Sequence, residues 1–427
     1  MDFQSVAIVG GGESGIGAAL LAQKKGLKVL LSDYGKISIE HQQSLNKLKI
    51  PFEENGHTLD KLKNYDLVVK SPGVGDHTDV IKGLSYYGKK IISEIEFGFY
   101  FTEKRIIGIT GSNGKTTTTG LIDHLLKAGG VKSQVGGNIG DSFARLVAEE
   151  KESTEVYVLE LSSFQLDGIE TFRPDIAVLL NITPDHLDRY DHDFEKYKRA
   201  KWRIVMNQRS EDLLIYNADL EVMRDVGRQI AIEEKNYSEY SLLTKSGQKF
   251  DITKSSLKGR HNRFNALCAI EVALEMGVDR QSVEKGLVSF KNVPHRLEVV
   301  KVFNSITFIN DSKATNVDAV YYALDAMESP VIWIVGGTDK GNDYEPIREL
   351  VEEKVKHRIY LGKDNAKLIA FFGEGVECRS MEEAVKKAAM CAKEGDVVLL
   401  SPACASFDLF KNYEDRGAQF KEAVYAL

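Results

Sequence analysis

One stretch constrains this 427-residue chain more than any other: Thr110-Gly-Ser-Asn-Gly-Lys115-Thr116-Thr117-Thr118-Thr119. An apolar run, Arg105-Ile-Ile-Gly-Ile-Thr110, precedes it, and a helical pattern, Gly120-Leu-Ile-Asp-His-Leu-Leu-Lys127, follows it. Strand, glycine-rich turn and helix in that order belong to a parallel sheet wrapped by helices. Such a turn is laid out to bind phosphate. Its backbone N–H groups point at phosphate oxygens, and the helix N-terminus adds roughly half a positive charge. Gly111, Ser112, Asn113, Gly114 and Thr117 form the candidate cradle, Lys115 supplies a full charge, and the Thr116 hydroxyl is placed to hold Mg²⁺. One position departs from the usual pattern: Ile109 stands where the first glycine is expected. An ordinary glycine-rich strand–helix turn is the alternative.

At about 150 residues per domain, this length predicts roughly three domains. Apolar residues make up 43% and charged residues 28%, as in an ordinary globular protein. The formal net charge of −7 argues against a general nucleic-acid binder. The N-terminus lacks a basic stretch, and Val6–Val9 is too short for a signal sequence. No apolar run approaches the ~20 residues needed to span a bilayer, so no membrane insertion is expected. Cys268, Cys378, Cys391 and Cys404 are scattered and read as core residues in a reducing compartment. A cytoplasmic protein is expected.

Three units follow along the chain: 1–93, 94–292 and 293–427. In the first, Ser5–Val9, Lys28–Leu31 and Leu67–Lys70 read as strands, with a helix over Gly17–Lys25. The second opens with the phosphate-loop strand and continues with strands Val156–Glu160 and Ile176–Leu180. Helices are expected over 194–206 and Asn262–Leu274. The third, starting near Val293, repeats the alternation with strands Thr307–Asn310, Val331–Val335, Arg358–Leu361 and Asp396–Leu400.

Other motifs sit at strand ends. Gly10-Gly-Gly-Glu-Ser-Gly15 with Asp33 fits a dinucleotide fingerprint, but it serves another nucleotide diphosphate or a packing turn as well. Glu160 is suited to Mg²⁺ opposite Thr116, or it is a solvated strand end. His186 lies between Asp185 and Asp188 as a metal ligand, a proton handler or neither. Lys201 is one of several cations on its helix, and spacing alone does not single it out. Asn310–Asn316, Gly336–Gly341 and Ser401–Asp408 follow three strands and would line one edge of the third unit.

Together, Thr110–Thr116, Glu160-Leu-Ser-Ser-Phe-Gln165, Asn181–Tyr190, Gly259-Arg-His-Asn262, Pro294-His-Arg296, Asp311–Asn316 and Ser401–Asp408 resemble the bacterial Mur ligases. The motifs stand in register over nearly the whole chain. Within that family the Asp33 start, the Asp311–Asn316 loop and the segment ending at Gly417 are most similar to the D-glutamate-adding members. The resemblance implies an α/β protein of three domains: Rossmann-like, P-loop ATPase-like and Rossmann-like. It implies an ATP-dependent acid–D-amino-acid ligase of peptidoglycan precursor synthesis, working as a monomer on UDP-N-acetylmuramoyl-L-alanine and D-glutamate through an acyl phosphate.

The same resemblance assigns roles. Lys115, His186 and Lys201 would be catalytic, and Gly111–Thr117, Asn265, Arg296 and Asp311 would bind ATP. Gly15, Asp33, Ser71 and Asn138 would bind the UDP substrate. Thr315, Lys340, Ser406 and Phe407 would bind D-glutamate. Thr116, Glu160, His186 and a carbamoylated Lys201 would hold two Mg²⁺ ions. A nicotinamide-dependent dehydrogenase, resting on Gly10–Gly15 and Asp33, leaves Lys115 and Glu160 without work. A folate–glutamate ligase fits the first domain poorly, and a non-catalytic nucleotide-binding module is the plainest rival.

Overall fold

Strand β1 (Ser5–Val9) is apolar and buried nearly throughout, which a strand can be only when helices cover both sheet faces. A computed structural model describes residues 3–223, 226–257, 259–291 and 294–427. The expected boundary at 292/293 lies outside the described residues. The chain divides into two compact units. The first comprises Met1–Tyr237, Leu242–Asp251 and Asn265–Leu287; the second comprises Ser238–Ser241, Ile252–Phe264 and Val288–Leu427.

The first unit contains two parallel sheets. One joins β1 to β2 (Lys28–Ser32), β3 (Phe52–Glu53), β4 (Leu67–Lys70) and β5 (Lys90–Ser93), in the order β3-β2-β1-β4-β5. The direction of winding reverses at β1, so a crevice opens beyond the carboxyl ends of β1 and β4. Gly10–Gly15 and Ser71 stand there.

The other sheet holds β6 (Arg105–Thr110), β7 (Ser133–Gly137), β8 (Val156–Glu160), β9 (Ile176–Leu179), β10 (Leu213–Asn217) and β11 (Arg228–Ile232). Its order, β11-β10-β9-β6-β8-β7, puts the phosphate-loop strand between the strands that end at Glu160 and Leu179. A short pair, β12 (Ser241–Leu243) and β13 (Lys249–Asp251), follows. One continuous core runs under both large sheets, from Val6 and Ile16 through Phe97 and Phe143 to Trp202.

The second unit contains β14 (Glu298–Phe303), β15 (Ile306–Asn310), β16 (Val331–Gly336), β17 (Val355–Leu361), β18 (Val376–Cys378) and β19 (Val397–Ala403). Only β14 is antiparallel, at the edge of the order β14-β15-β19-β16-β17-β18. Trp333 and Val335 enter one core cluster and Ile332 and Ile334 the other, as strand alternation requires. Strands β15, β19 and β16 are neighbours, so their three following loops share one sheet edge.

The expected helix over 194–206 is an α-helix only to Trp202 and then a short 3₁₀ turn, Arg203–Val205. The Arg203 guanidinium is turned back onto the Leu166 and Ile169 carbonyls, at 2.7 and 2.5 Å.

Candidate active site

The phosphate loop shows why Ile109 is not a glycine. Ile109 still belongs to β6, fully buried and paired with Glu160 and Val178. Left-handed backbone is needed only at Gly111 (φ +157°) and Gly114 (φ +85°). Gly114 caps the helix Lys115–Ala128, whose Thr118 hydroxyl donates to its carbonyl at 3.0 Å. A Cβ at Gly114 would stand 2.6 Å from Asn265 Oδ1, so the buried Asn265 closes directly on the loop. Asn181, beyond β9, clamps it from the other side. Its Oδ1 accepts from Asn113 N at 2.8 Å, and its Nδ2 donates to the Asn113 carbonyl at 3.0 Å. The sequence offered no sign of that clamp.

Two lysines converge on this loop. Lys115 Nζ donates to the Gly111 and Ser112 carbonyls at 2.7 and 2.8 Å. Lys201 Nζ donates to the same Gly111 carbonyl at 2.8 Å. Lys201 is 1% exposed and lies 4.6 Å from the Tyr197 ring centre. Burial first, then the Lys115 charge, hold its pKa well below the ordinary lysine range. Asp185, Glu160 and Asp167 pull the other way and do not prevail. Its helix neighbours Lys196 and Lys198 instead pair with Asp191 and Glu195 at the surface. Burial, invisible to spacing, is what sets Lys201 apart.

Glu160 ends β8, and its Oε1 accepts from Asn138 Nδ2 at 2.9 Å. Its Oε2 is buried with no hydrogen-bond partner. A lone buried carboxylate oxygen is costly, and a hard divalent cation is the kind of group that satisfies it. The Glu160 carboxylate and the Thr116 hydroxyl fit Mg²⁺ in ligand type. His186 sits at φ +53°, half-exposed, with Nε2 3.6 Å from Asp185 Oδ2 and its ring edge-on to Phe164. Among the described residues, no three His, Cys, Asp or Glu side chains gather as a metal group. The expected ligand set contains only two of that kind.

Beside the glycine loop lies a cavity of about 470 Å³, lined by Gly10, Gly12, Asp33, Ser71 and Asn138 among others. A second, of about 700 Å³, continues past Asp33 to Tyr34, His57, His77 and Arg189. Asp33 shapes both, because its carboxylate accepts from Gly11 N at 2.5 Å and Gly35 N at 2.7 Å. Three of the four expected UDP residues thus meet. Gly15 lines neither cavity. A Cβ there would stand 1.9 Å from the Gly10 carbonyl oxygen, so Gly15 acts by letting helix and loop approach. Glu13, which no local pattern singles out, ties this loop to the helix Phe143–Ala148 that follows β7. It accepts from Arg145 at 2.6 and 2.8 Å and from Ser142 N at 3.1 Å.

In the second unit the three expected loops do come together. Thr338 N donates to the Ala405 carbonyl at 2.8 Å, and Ala405 N returns to the Thr338 carbonyl at 3.1 Å. Ala403 N donates to the Ala314 carbonyl at 3.0 Å. Asp311 Oδ2 accepts from Ser401 Oγ at 3.0 Å. Burial pushes the Asp311 carboxyl up to about 7, against the pull of Ser401, Leu297 N, Arg296 and Arg416. Arg416, 1% exposed, bonds Ser312 Oγ at 3.0 Å, the Ser312 carbonyl at 2.8 Å and the Cys404 carbonyl at 3.1 Å. Ser406 is buried, Thr315 and Lys340 are half-buried, and Phe407 is exposed. Arg296 and Asp311 belong to this unit, whereas Asn265 belongs to the first.

Three family descriptions match along the chain: MurD N-terminal domain at 5–80, Mur ligase middle domain at 109–273, and Mur ligase, glutamate ligase domain, at 295–404. UDP-N-acetylmuramoylalanine–D-glutamate ligase of Christiangramia forsetii is 50% identical over 442 aligned positions, 99% of each chain. The chain belongs to the Mur ligase family. This Mur ligase is also 45% identical to the protein of the same name from Porphyromonas gingivalis, over 99% of the chain and 98% of that protein. Solved structures share its three-domain fold. MurF from Thermotoga maritima, in complex with ADP, matches with a TM-score of 0.63 at 17% identity, covering 94% of this chain and 97% of that one. MurC from the same organism matches at 0.61 and 21%, covering 99% of each chain.

Proposed function

We propose that this Mur ligase joins the L-alanine carboxylate of UDP-N-acetylmuramoyl-L-alanine to the amine of D-glutamate in peptidoglycan precursor synthesis. ATP is cleaved to ADP and phosphate. The 50% identity across 99% of both chains to a ligase of that name carries the reading. The glycine loop with its Asp33-shaped cavities suits the UDP handle, and the Lys115 loop suits the phosphates of ATP.

A carboxylate is a poor electrophile, so it first takes the γ-phosphoryl group as an acyl phosphate. The D-glutamate amine then attacks the carbonyl carbon, and the tetrahedral intermediate releases phosphate. The protein's share is positioning and charge. Lys115 and the loop N–H groups offset the phosphate charge. Asn265, Arg296 and Asp311 serve as ATP contacts. Thr116, Glu160, His186 and Lys201 as its carbamate would hold two Mg²⁺ ions, which supply charge neutralisation where two anions must meet. A neutral amine is the form that adds CO₂, and burial beside Lys115 favours that form of Lys201. Gly15, Asp33, Ser71 and Asn138 serve the UDP substrate, Gly15 through packing. Thr315, Lys340, Ser406 and Phe407 receive D-glutamate.

We read the domains as 1–93, 94–292 and 293–427, in a monomer working in the cytoplasm. Among the described residues no helix is long and apolar enough to cross a membrane. The test is phosphate release from ATP with UDP-N-acetylmuramoyl-L-alanine and, in turn, D-glutamate, L-lysine or diaminopimelate. Release with D-glutamate alone is expected; release with either other amino acid instead overturns the reading.

A further inference from the structure

The loop carrying Lys340 is held by a network whose members the reaction does not otherwise use. Asp339 is its centre. Its carboxylate accepts from Tyr344 Oη at 2.5 Å, Gly341 N at 2.6 Å, Asn342 N at 3.1 Å and Lys367 Nζ at 3.1 Å. Burial raises the Asp339 pKa, but the bonds from Tyr344, Lys367 and Gly341 outweigh it, and the carboxyl sits below its ordinary value. Tyr344 is 1% exposed, its ring packed against Phe371 and Phe372. Its hydroxyl also meets Cys404 Sγ at 3.4 Å. Asn342 Nδ2 donates to the Ala403 carbonyl at 3.0 Å.

Ala403 is itself in the left-handed region, at φ +62°, a strained state for a residue with a Cβ. Neighbouring bonds must therefore fix it, and Asn342 supplies one of them. The network thus spans two loops, the one that carries Lys340 and the one that carries Ser406. Lys340 lies between Asp339, which supplies the carboxylate, and Gly341 and Asn342, whose N–H groups donate to it.

We propose that Asp339 and Tyr344 are positioning residues that set the Lys340 ammonium in register with Ser406 for a carboxylate of the incoming amino acid. This rests on the D-glutamate reading above. The network touches both loops, so its loss lets the Lys340 loop shift against the loop that carries Ser406. The expected signature is a selective loss of affinity for the amino acid.

Tyr344→Phe removes one oxygen and keeps the buried ring, so the fold has no cavity to absorb. The KM for D-glutamate should rise about tenfold, with kcat and the KM values for ATP and the UDP substrate near wild type. Asp339→Asn should act in the same direction and more strongly. An unchanged KM for D-glutamate, or an equal fall across all parameters, overturns the proposal. A second readout needs no turnover. Reductive ¹³C-methylation gives each lysine an NMR signal, and Lys340→Arg identifies the one from Lys340. That signal should shift in Tyr344→Phe, and an unmoved signal overturns the proposal. Failure of the D-glutamate reading shows separately, as a wild-type enzyme that releases no phosphate with D-glutamate.

Discussion

Lys201 and Lys115 share one acceptor: both ammonium nitrogens donate to the Gly111 carbonyl oxygen, at 2.8 and 2.7 Å. Two cations so placed repel, and the more buried one is held toward its neutral form. Conversion of Lys201 to a carbamate turns that repulsion into attraction. Lys201→Ala should be nearly inactive and should recover in part with added short-chain carboxylic acids, assayed by phosphate release. Absence of rescue by any acid tells against the carbamate.

Lys115→Ala should lose at least about 10²–10³ in rate, equivalent to about 3–4 kcal/mol of transition-state stabilisation. Steady-state kinetics with saturating UDP substrate measure it. Near-normal turnover is incompatible with a phosphate role for Lys115.

Glu94 predicts a pH dependence of stability. Burial pushes its carboxyl up from 4.5 to about 8, offset only in part by the Ala144 N–H and reinforced by Glu13. Between those values the unfolded chain gives up this proton while the folded chain keeps it. Stability therefore falls as pH rises from 4.5 toward 8 and levels off above. Glu94→Gln cannot ionise, so its melting temperature should drop less than wild type between about pH 5 and pH 8. Parallel melting curves for the two proteins would contradict the assignment.

Arg416→Met should destabilise the second unit by about 3 kcal/mol, because it strips donors from three buried acceptors. Urea denaturation, followed by the fluorescence of the buried Trp333, reports it. A midpoint equal to wild type shows that the loops hold without this guanidinium.

What the sequence displays and what it hides divide along physical lines. Buried apolar strands such as Ser5–Val9 and Val331–Gly336 announce themselves, and so does the turn chemistry at Gly111–Gly114. Edge strands do not. Arg228–Ile232 and Glu298–Phe303 are short and half-polar, and only their partners make them strands. Glu96 looks like a surface charge, yet it is fully buried and accepts from Glu170 N, Thr171 N and Phe172 N. Its partners lie more than seventy residues away, beyond the reach of any local pattern. The same holds for Glu13 with Arg145 and for Arg416 with Ser312. Lys201 was legible only by resemblance, since its distinction is burial.

The core shared by the first two sheets bears on how the chain can be cut. Phe97, Phe143 and Phe172 pack in one cluster with Val6 and Ile16, so on that face neither sheet closes its own interior. A fragment ending near residue 93 would leave the helix Glu13–Lys24 with a bare apolar flank and Glu13 without its guanidinium. The two sheets should therefore melt as a single cooperative block, and a chimera between relatives keeps that core intact when they are exchanged together.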